Sequence, residues 1–201
     1  MLVVRARSIA LDSGRVQADV TDRGPLPELL ATFERIARRM VPPSPKASAG
    51  VRIQHPLLAA FESYIKGLLA ETPETSVNHL NAALKAQPTF DRARLALWDV
   101  YAEEGDHVRA LAAVQPVRAA SVWGRRARFL AGLSQLNLNR FAEAFATFKA
   151  LADQRPTPTI LNNLGIVALR RGASAQTGLP TYYFNKAAES DRDDPDYFFN
   201  L

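Results

Sequence analysis

Cysteine is absent from the 201 residues, so neither a disulfide nor a thiolate metal site can hold this chain together. Histidine is scarce. The three present (His55, His79, His107) lie far apart in sequence, and none belongs to the H-E-x-x-H pair that places two zinc ligands on one helix face. No run approaches the roughly 18 apolar residues of a membrane span. The opening MLVVRARSIALDSG carries arginines where the apolar region of a signal peptide would stand. The loop Gly172–Gly178 lacks the lysine of a phosphate loop and follows a helical pattern rather than a strand. The acidic run Glu189, Asp191, Asp193, Asp194 and Asp196 lacks the central glycine and the twelfth-position glutamate of a calcium loop. It reads as an inter-helix turn, with Asp194 capping a helix at Pro195. No base, nucleophile or ligand set converges, so the expectation is a non-enzymatic protein without metal or cofactor.

What is present is a core and a repeat. Apolar residues make up 47% of the chain, which argues against wholesale disorder. The clearest stretch is Ala127–Pro156. Leu130, Ala131, Gly132 and Leu136 fall at helical spacing, Asn139 marks a break, and Phe141, Ala144, Phe148 and Leu151 form a second stripe before Pro156. Small residues sit where two helix axes must approach, and large ones where the gap must be filled. A step of about 34 residues back carries Ala131 to Leu97, Asn139 to Gly105 and Ala144 to Ala110. A similar step forward carries Gly132 to Gly165 and Asn139 to Gly172.

That period, with helix–turn–helix chemistry, resembles the tetratricopeptide repeat (TPR). The expected fold is therefore mostly α: an α-solenoid of about four TPR-like helical hairpins over residues 55–201, with a small N-terminal β-hairpin plus helix. The first repeat begins near His55-Pro56, with stripes Phe61, Tyr64, Ile65, Leu68 and Leu80, Ala83, Leu84. The second uses Ala93, Leu97, Val100 and Tyr101, then Ala110, Leu111 and Val114, and Pro116 stops it early. Trp98 stands where the third repeat has Gly132, so the helices cannot approach identically there. His107, at the start of a second helix, reads as a packing or capping residue. The fourth repeat starts at Pro158, turns at Gly172, carries about three extra residues relative to the family pattern and resumes at Pro180. A fifth begins at Pro195 and is cut off at Asn200-Leu201, where a solenoid is expected to close in a polar capping helix. The expectation is a piece of a longer protein.

Ahead of the repeats, Val3 to Leu11 and Val16 to Val20 read as strands joined at Asp12-Ser13-Gly14. Gly24-Pro25 breaks the second. Pro27-Glu28 opens a helix with Leu29, Phe33, Ile36, Ala37 and Met40 on one face and Glu34, Arg35, Arg38 and Arg39 on the other. Residues 42–54 are a proline-rich linker. Hairpin, Gly-Pro-Leu, helix and proline linker together are similar to the end of the FlgO/CsgG-like envelope domain of some bacterial proteins. That likeness implies that residues 1–41 are the remnant of an upstream α/β domain.

The TPR resemblance implies a partner peptide or helix held in a concave groove lined by the first helix of each pair. Carried over position by position, the groove residues are Arg126, Phe129, Leu130, Leu133 and Leu136 from the third repeat and Asn162, Asn163, Ile166 and Arg170 from the fourth. Amides suit an extended backbone, and guanidinium groups suit carboxylates. The Lys/Asn/Arg carboxylate clamp of chaperone-binding arrays is not reproduced, which disfavours a chaperone-tail reader. Two other readings remain open. The repeats could be a structural or regulatory arm of a larger bacterial protein, envelope-associated (periplasmic) or cytoplasmic and signalling. Alternatively, the clusters Arg38-Arg39, Arg125-Arg126-Arg128 and Arg170-Arg171, within a net charge of +5, could bind polyanions with steep salt dependence. Nucleic acid is the less favoured partner, because a charge of this size on an extended surface mainly keeps a protein in solution.

Overall fold

The computed structural model of this chain describes residues 1–41, 55–172 and 178–191. The expected linker at 42–54, the extra residues 173–177 and the fifth repeat from Pro195 lie outside the described residues. The chain divides into two units, Met1–Phe61 and Glu62–Leu201.

In the first unit, β1 (Leu2–Ile9) pairs antiparallel with β2 (Val16–Gly24), from Leu2 opposite Gly24 to Ile9 opposite Val16. Gly14, at φ +65°, makes the turn. Period-two alternation gives β1 two faces. Leu2, Val4, Ala6 and Ser8 are half-buried, while Val3, Arg5, Arg7 and Ile9 are exposed. A single turn of tighter helix, Leu26–Glu28, precedes α1 (Leu29–Met40). The packing face of α1 differs from the one the sequence predicts, because the helix is held against β2 through Thr32 and Arg35. Thr32 and Ile36 are buried, whereas Phe33 is 47% exposed and Ala37 also faces out. Arg35 is not a solvent-facing charge either: its Nε donates to Asp22 at 2.6 Å and its Nη2 to Thr32 Oγ1 at 3.0 Å. Thr32 presses so close to β2 that a Cβ on Gly24 would lie 2.7 Å from its hydroxyl.

On the open face, Arg5 Nε donates to Asp19 at 2.8 Å, with Arg7 alongside at 3.2 Å. The hydrogen bond from Arg5 is the main reason the Asp19 carboxyl falls from 3.8 to about 2; desolvation works against it, and the charges of Arg5 and Arg7 add to it. The folded hairpin thus favours the carboxylate. The stabilisation is complete above the ordinary carboxyl value and is lost as pH falls through about 2. A carboxyl-carbon NMR titration should place the Asp19 midpoint near 2, and Arg5→Ala should move it upward. An unshifted Asp19 in the wild type would refute the pairing.

The second unit is built of helices joined in sequence. The boundary between the units falls within α2 (Leu58–Leu68), which is followed by α3 (Pro73–Ala86), α4 (Asp91–Glu103), α5 (His107–Val114), α6 (Gly124–Asn137), α7 (Phe141–Gln154), α8 (Pro158–Arg171) and α9 (Pro180–Ser190). The starts follow from capping chemistry. Thr72 and Thr157 each accept from the backbone N–H three residues on, with proline next, and Asp106 does the same for Arg109. The turns follow from positive φ at Gly105, Asn139 and Gly172. Pro116 does stop α5, which has 8 residues against 14 in α7. Helices α4/α5, α6/α7 and α8/α9 pair as hairpins, and α3/α4, α5/α6 and α7/α8 join one hairpin to the next.

The first, third and fourth hairpins close on a small residue facing a large one. A Cβ on Gly132 would meet the Phe148 ring at 2.8 Å, and one on Gly165 would meet Phe184 at 2.4 Å. The first hairpin does this through Gly67 against Leu80, supported by Ser76 Oγ donating to the Gly67 carbonyl at 2.8 Å. Gly67 is the small residue that was not foreseen, and Leu68, placed in the stripe from the sequence, is 51% exposed. Trp98 breaks the rule as expected. Its ring lies against the cluster of Leu95, Val114, Ala127 and Leu130. Its Nε1 donates to the fully buried Ser134 Oγ at 2.8 Å, bridging the second and third repeats. Trp98→Phe keeps most of the ring and removes the donor. It should cost ~1–2 kcal/mol in a urea melt; no change would mean the bond does not form.

Candidate functional site

The short α5 shapes a cleft in the helical unit. Where a full-length helix would continue, the chain runs through residues 115–123 and lays Val122 and Trp123 beside the N-terminal turns of the next helices. Ser121 Oγ fixes this loop by donating to Asp91 at 2.5 Å, and Gly124 enters α6 with no room for a Cβ against the carbonyls of Arg118 and Ala119. The resulting cleft has a volume of about 600 Å³, a size suited to one or two side chains. Its floor and walls are apolar: Leu95 from α4, Val122 and Trp123 from the loop, Phe129 and Leu130 from α6 and Ile160 from α8. Asp99, Arg125, Arg126, Thr157 and Thr159 supply the polar part.

Each nearby guanidinium already has a partner. Arg125 donates from Nη1 to the Leu151 carbonyl at 3.1 Å and from Nη2 to that of Arg155 at 2.5 Å, closing the C-terminal end of α7. Arg92 stands 5.4 Å from the Tyr64 ring centre and 5.7 Å from that of Trp123, and Arg126 stands 5.9 Å from that of Phe129. The Asp99 carboxyl is pushed above its ordinary value chiefly by desolvation; Arg126 opposes the shift and Glu103 adds to it.

Of the nine residues carried over from the repeat pattern, Arg126, Phe129 and Leu130 line this cleft. Leu130 is 1% exposed and belongs to the floor rather than to an open surface. Phe129 stacks edge-on against Phe148 at 5.7 Å, and Leu133 and Leu136 lean on the core around Phe148 and Leu164. Asn163 corrects the idea of paired amides. It is 8% exposed, and its Nδ2 donates to the Thr159 carbonyl of its own helix at 2.8 Å. Asn162 and Ile166 are half-buried and Arg170 is exposed, all outside the cleft lining. Leu95, Asp99, Val122, Trp123 and Arg125 were missed. For two of these the signal was available, since the repeat step that links Ala131 to Leu97 carries Phe129 to Leu95 and Leu133 to Asp99.

The three histidines stay on separate elements: His55 bonds Glu34 in the first unit at 2.6 Å, His79 is on α3 and His107 begins α5. Among the described residues, no group of three or more His, Asp or Glu side chains could hold a metal ion. No described helix is long and apolar enough to cross a membrane.

Neither a family model nor a curated protein matches the sequence. Solved structures do match. The MamA RS-1 ArsTM double mutant superposes with a TM-score of 0.57 at 20% identity, over 66% of this chain and 75% of that one. PilF of Pseudomonas aeruginosa gives 0.57 at 22% identity, over 71% of this chain and 65% of that one. Both are TPR proteins, and the paired helices of this chain have the same fold.

Proposed function

From that shared fold, we propose that the helical unit is a non-enzymatic interaction module that holds a peptide segment or helix of a partner protein. The cleft receives an apolar side chain of the guest. The observation that supports this most is the cleft itself: apolar side chains from three successive repeats and one loop meet around a space that no described residue fills. Val122 is 85% exposed beside it, an arrangement more useful to a guest than to the fold. The residues first read as a groove, Leu133, Leu136, Asn162, Ile166 and Arg170, would serve a longer guest leaving the cleft; Asn163 and Leu130 support it from within.

Polyanion binding is the weaker reading. Arg125 is committed to backbone carbonyls, and Arg38 is paired with Glu34. A random peptide library displayed on phage and selected against the full chain should yield binders centred on a bulky apolar residue. Val122→Asp should weaken them by about tenfold, the loss of one buried valine side chain. The melting curve should stay within ~0.5 kcal/mol of wild type, because Val122 makes no core contact. Failure to enrich any peptide, or binders indifferent to Val122→Asp, would reject the proposal.

A further inference from the structure

The sheet of the first unit has two strands, so among the described residues β1 pairs with β2 alone and its outer edge has no strand beside it. α1 is tied to β2 instead, through Arg35 on Asp22 and Thr32 against Gly24. A lone hairpin is marginal in water, and a third strand is the ordinary way to complete a sheet of this size. The alternation of β1 fixes what its edge presents. Ala10 N–H donates to the Arg15 carbonyl at 2.9 Å. The backbone of the even-numbered residues therefore turns toward β2, and that of Val3, Arg5, Arg7 and Ile9 turns outward. The same four carry their side chains on the open face, with Val3 and Ile9 each 52% exposed.

In either direction along the strand, the order is apolar, basic, basic, apolar. The two guanidinium groups share one carboxylate, Asp19, and Arg23 of β2 is exposed on the same face, so the face carries surplus positive charge. A second copy of this chain fits the edge badly. Antiparallel pairing that sets Val3 against Ile9 also sets Arg5 against Arg7 twice. Parallel pairing in register sets each arginine against its twin, and like charges directly opposite are destabilising.

We propose that the outer edge of β1 takes an extended segment of a different protein as a third strand, one whose alternate residues on the open face run apolar, acidic, acidic, apolar. Main-chain hydrogen bonds supply the affinity and the two carboxylates the selectivity. This surface does not rest on the cleft.

The test uses the full chain and short fluorescent peptides, measured by anisotropy. The first has valine, glutamate, glutamate and valine at alternate positions with threonine between them. The second has lysine in place of glutamate, and the third has the glutamates moved to the intervening positions. The first should bind about tenfold more tightly than either of the others, the worth of two exposed ion pairs of ordinary strength. Asp19→Asn, which releases both arginines, should tighten the first peptide about threefold, and Arg5→Glu/Arg7→Glu should turn the preference toward lysine. N-methylation of one alternate set of peptide amides should abolish binding, and of the other set should leave it intact, because only one edge of the added strand faces β1. If the double arginine variant does not fold, Asp19→Asn and the methylated peptides decide. Equal binding of the displaced-glutamate peptide would mean that charge alone attracts it. That result, equal effects of the two methylation patterns, indifference to Asp19→Asn, or no binding of the first peptide would overturn the proposal, and none of them bears on the cleft.

Discussion

Phe148→Ala is expected to destabilise the helical unit by ~3–5 kcal/mol, seen as an earlier urea midpoint with the slope preserved. The ring is 0% exposed. It touches Gly132 of its own hairpin and stacks on Phe129, while its cluster continues through Leu151 into Leu161 and Leu164 of the next repeat. Alanine would leave a void walled by two helix pairs, and the backbone around Gly132 and Ala144 cannot collapse into it without moving α6 relative to α7. A loss below ~1 kcal/mol would show that these two helices do not approach as described.

Gly165→Leu should be the next most damaging change, costing ~1–3 kcal/mol through overpacking rather than a void. A Cβ alone would stand 2.4 Å from Phe184 Cε1, well inside contact distance, and Phe184 is 3% exposed. The mechanism predicts its own partial remedy. In a Phe184→Leu background the penalty for Gly165→Leu should shrink, because the two positions share one volume. Strict additivity of the two substitutions would mean that they do not face each other.

The repeats were legible because their determinants are local. Helical spacing, prolines at the first turn, threonine caps and glycine or asparagine at positive φ all lie within a few residues of what they control, and the step of about 34 residues copies them along the chain. Pro158, Gly172 and Pro180 marked the bounds of α8 and α9 for that reason. The N-terminal helix departs from its periodicity at Phe33 and Ala37 because its packing face is set by Thr32 against Gly24 and Arg35 on Asp22, polar contacts that an apolar stripe does not reveal. Leu68 was misplaced for a related reason. A stripe of large residues draws the eye, but the residue that meets Leu80 is Gly67.

The cleft was half legible. Arg126, Phe129 and Leu130 follow from the repeat, and the same step of about 34 residues carries Phe129 to Leu95 and Leu133 to Asp99. Val122 and Trp123 belong to a loop whose course depends on Pro116 ending α5 and on Asp91 holding Ser121, a tertiary arrangement with no counterpart in neighbouring repeats. Asn163 shows the opposite failure. Its side chain is the right chemistry for gripping a peptide, but it is spent within its own helix.

Leu95, Leu130 and Ile160 come from three consecutive hairpins, and an array bound together only by adjacent neighbours can come apart from either end, one unit at a time. A guest seated on all three acts as a clasp across them. Amide exchange in α4 and α8 should then slow together on saturation, as though two separate hinges had been pinned by a single rod.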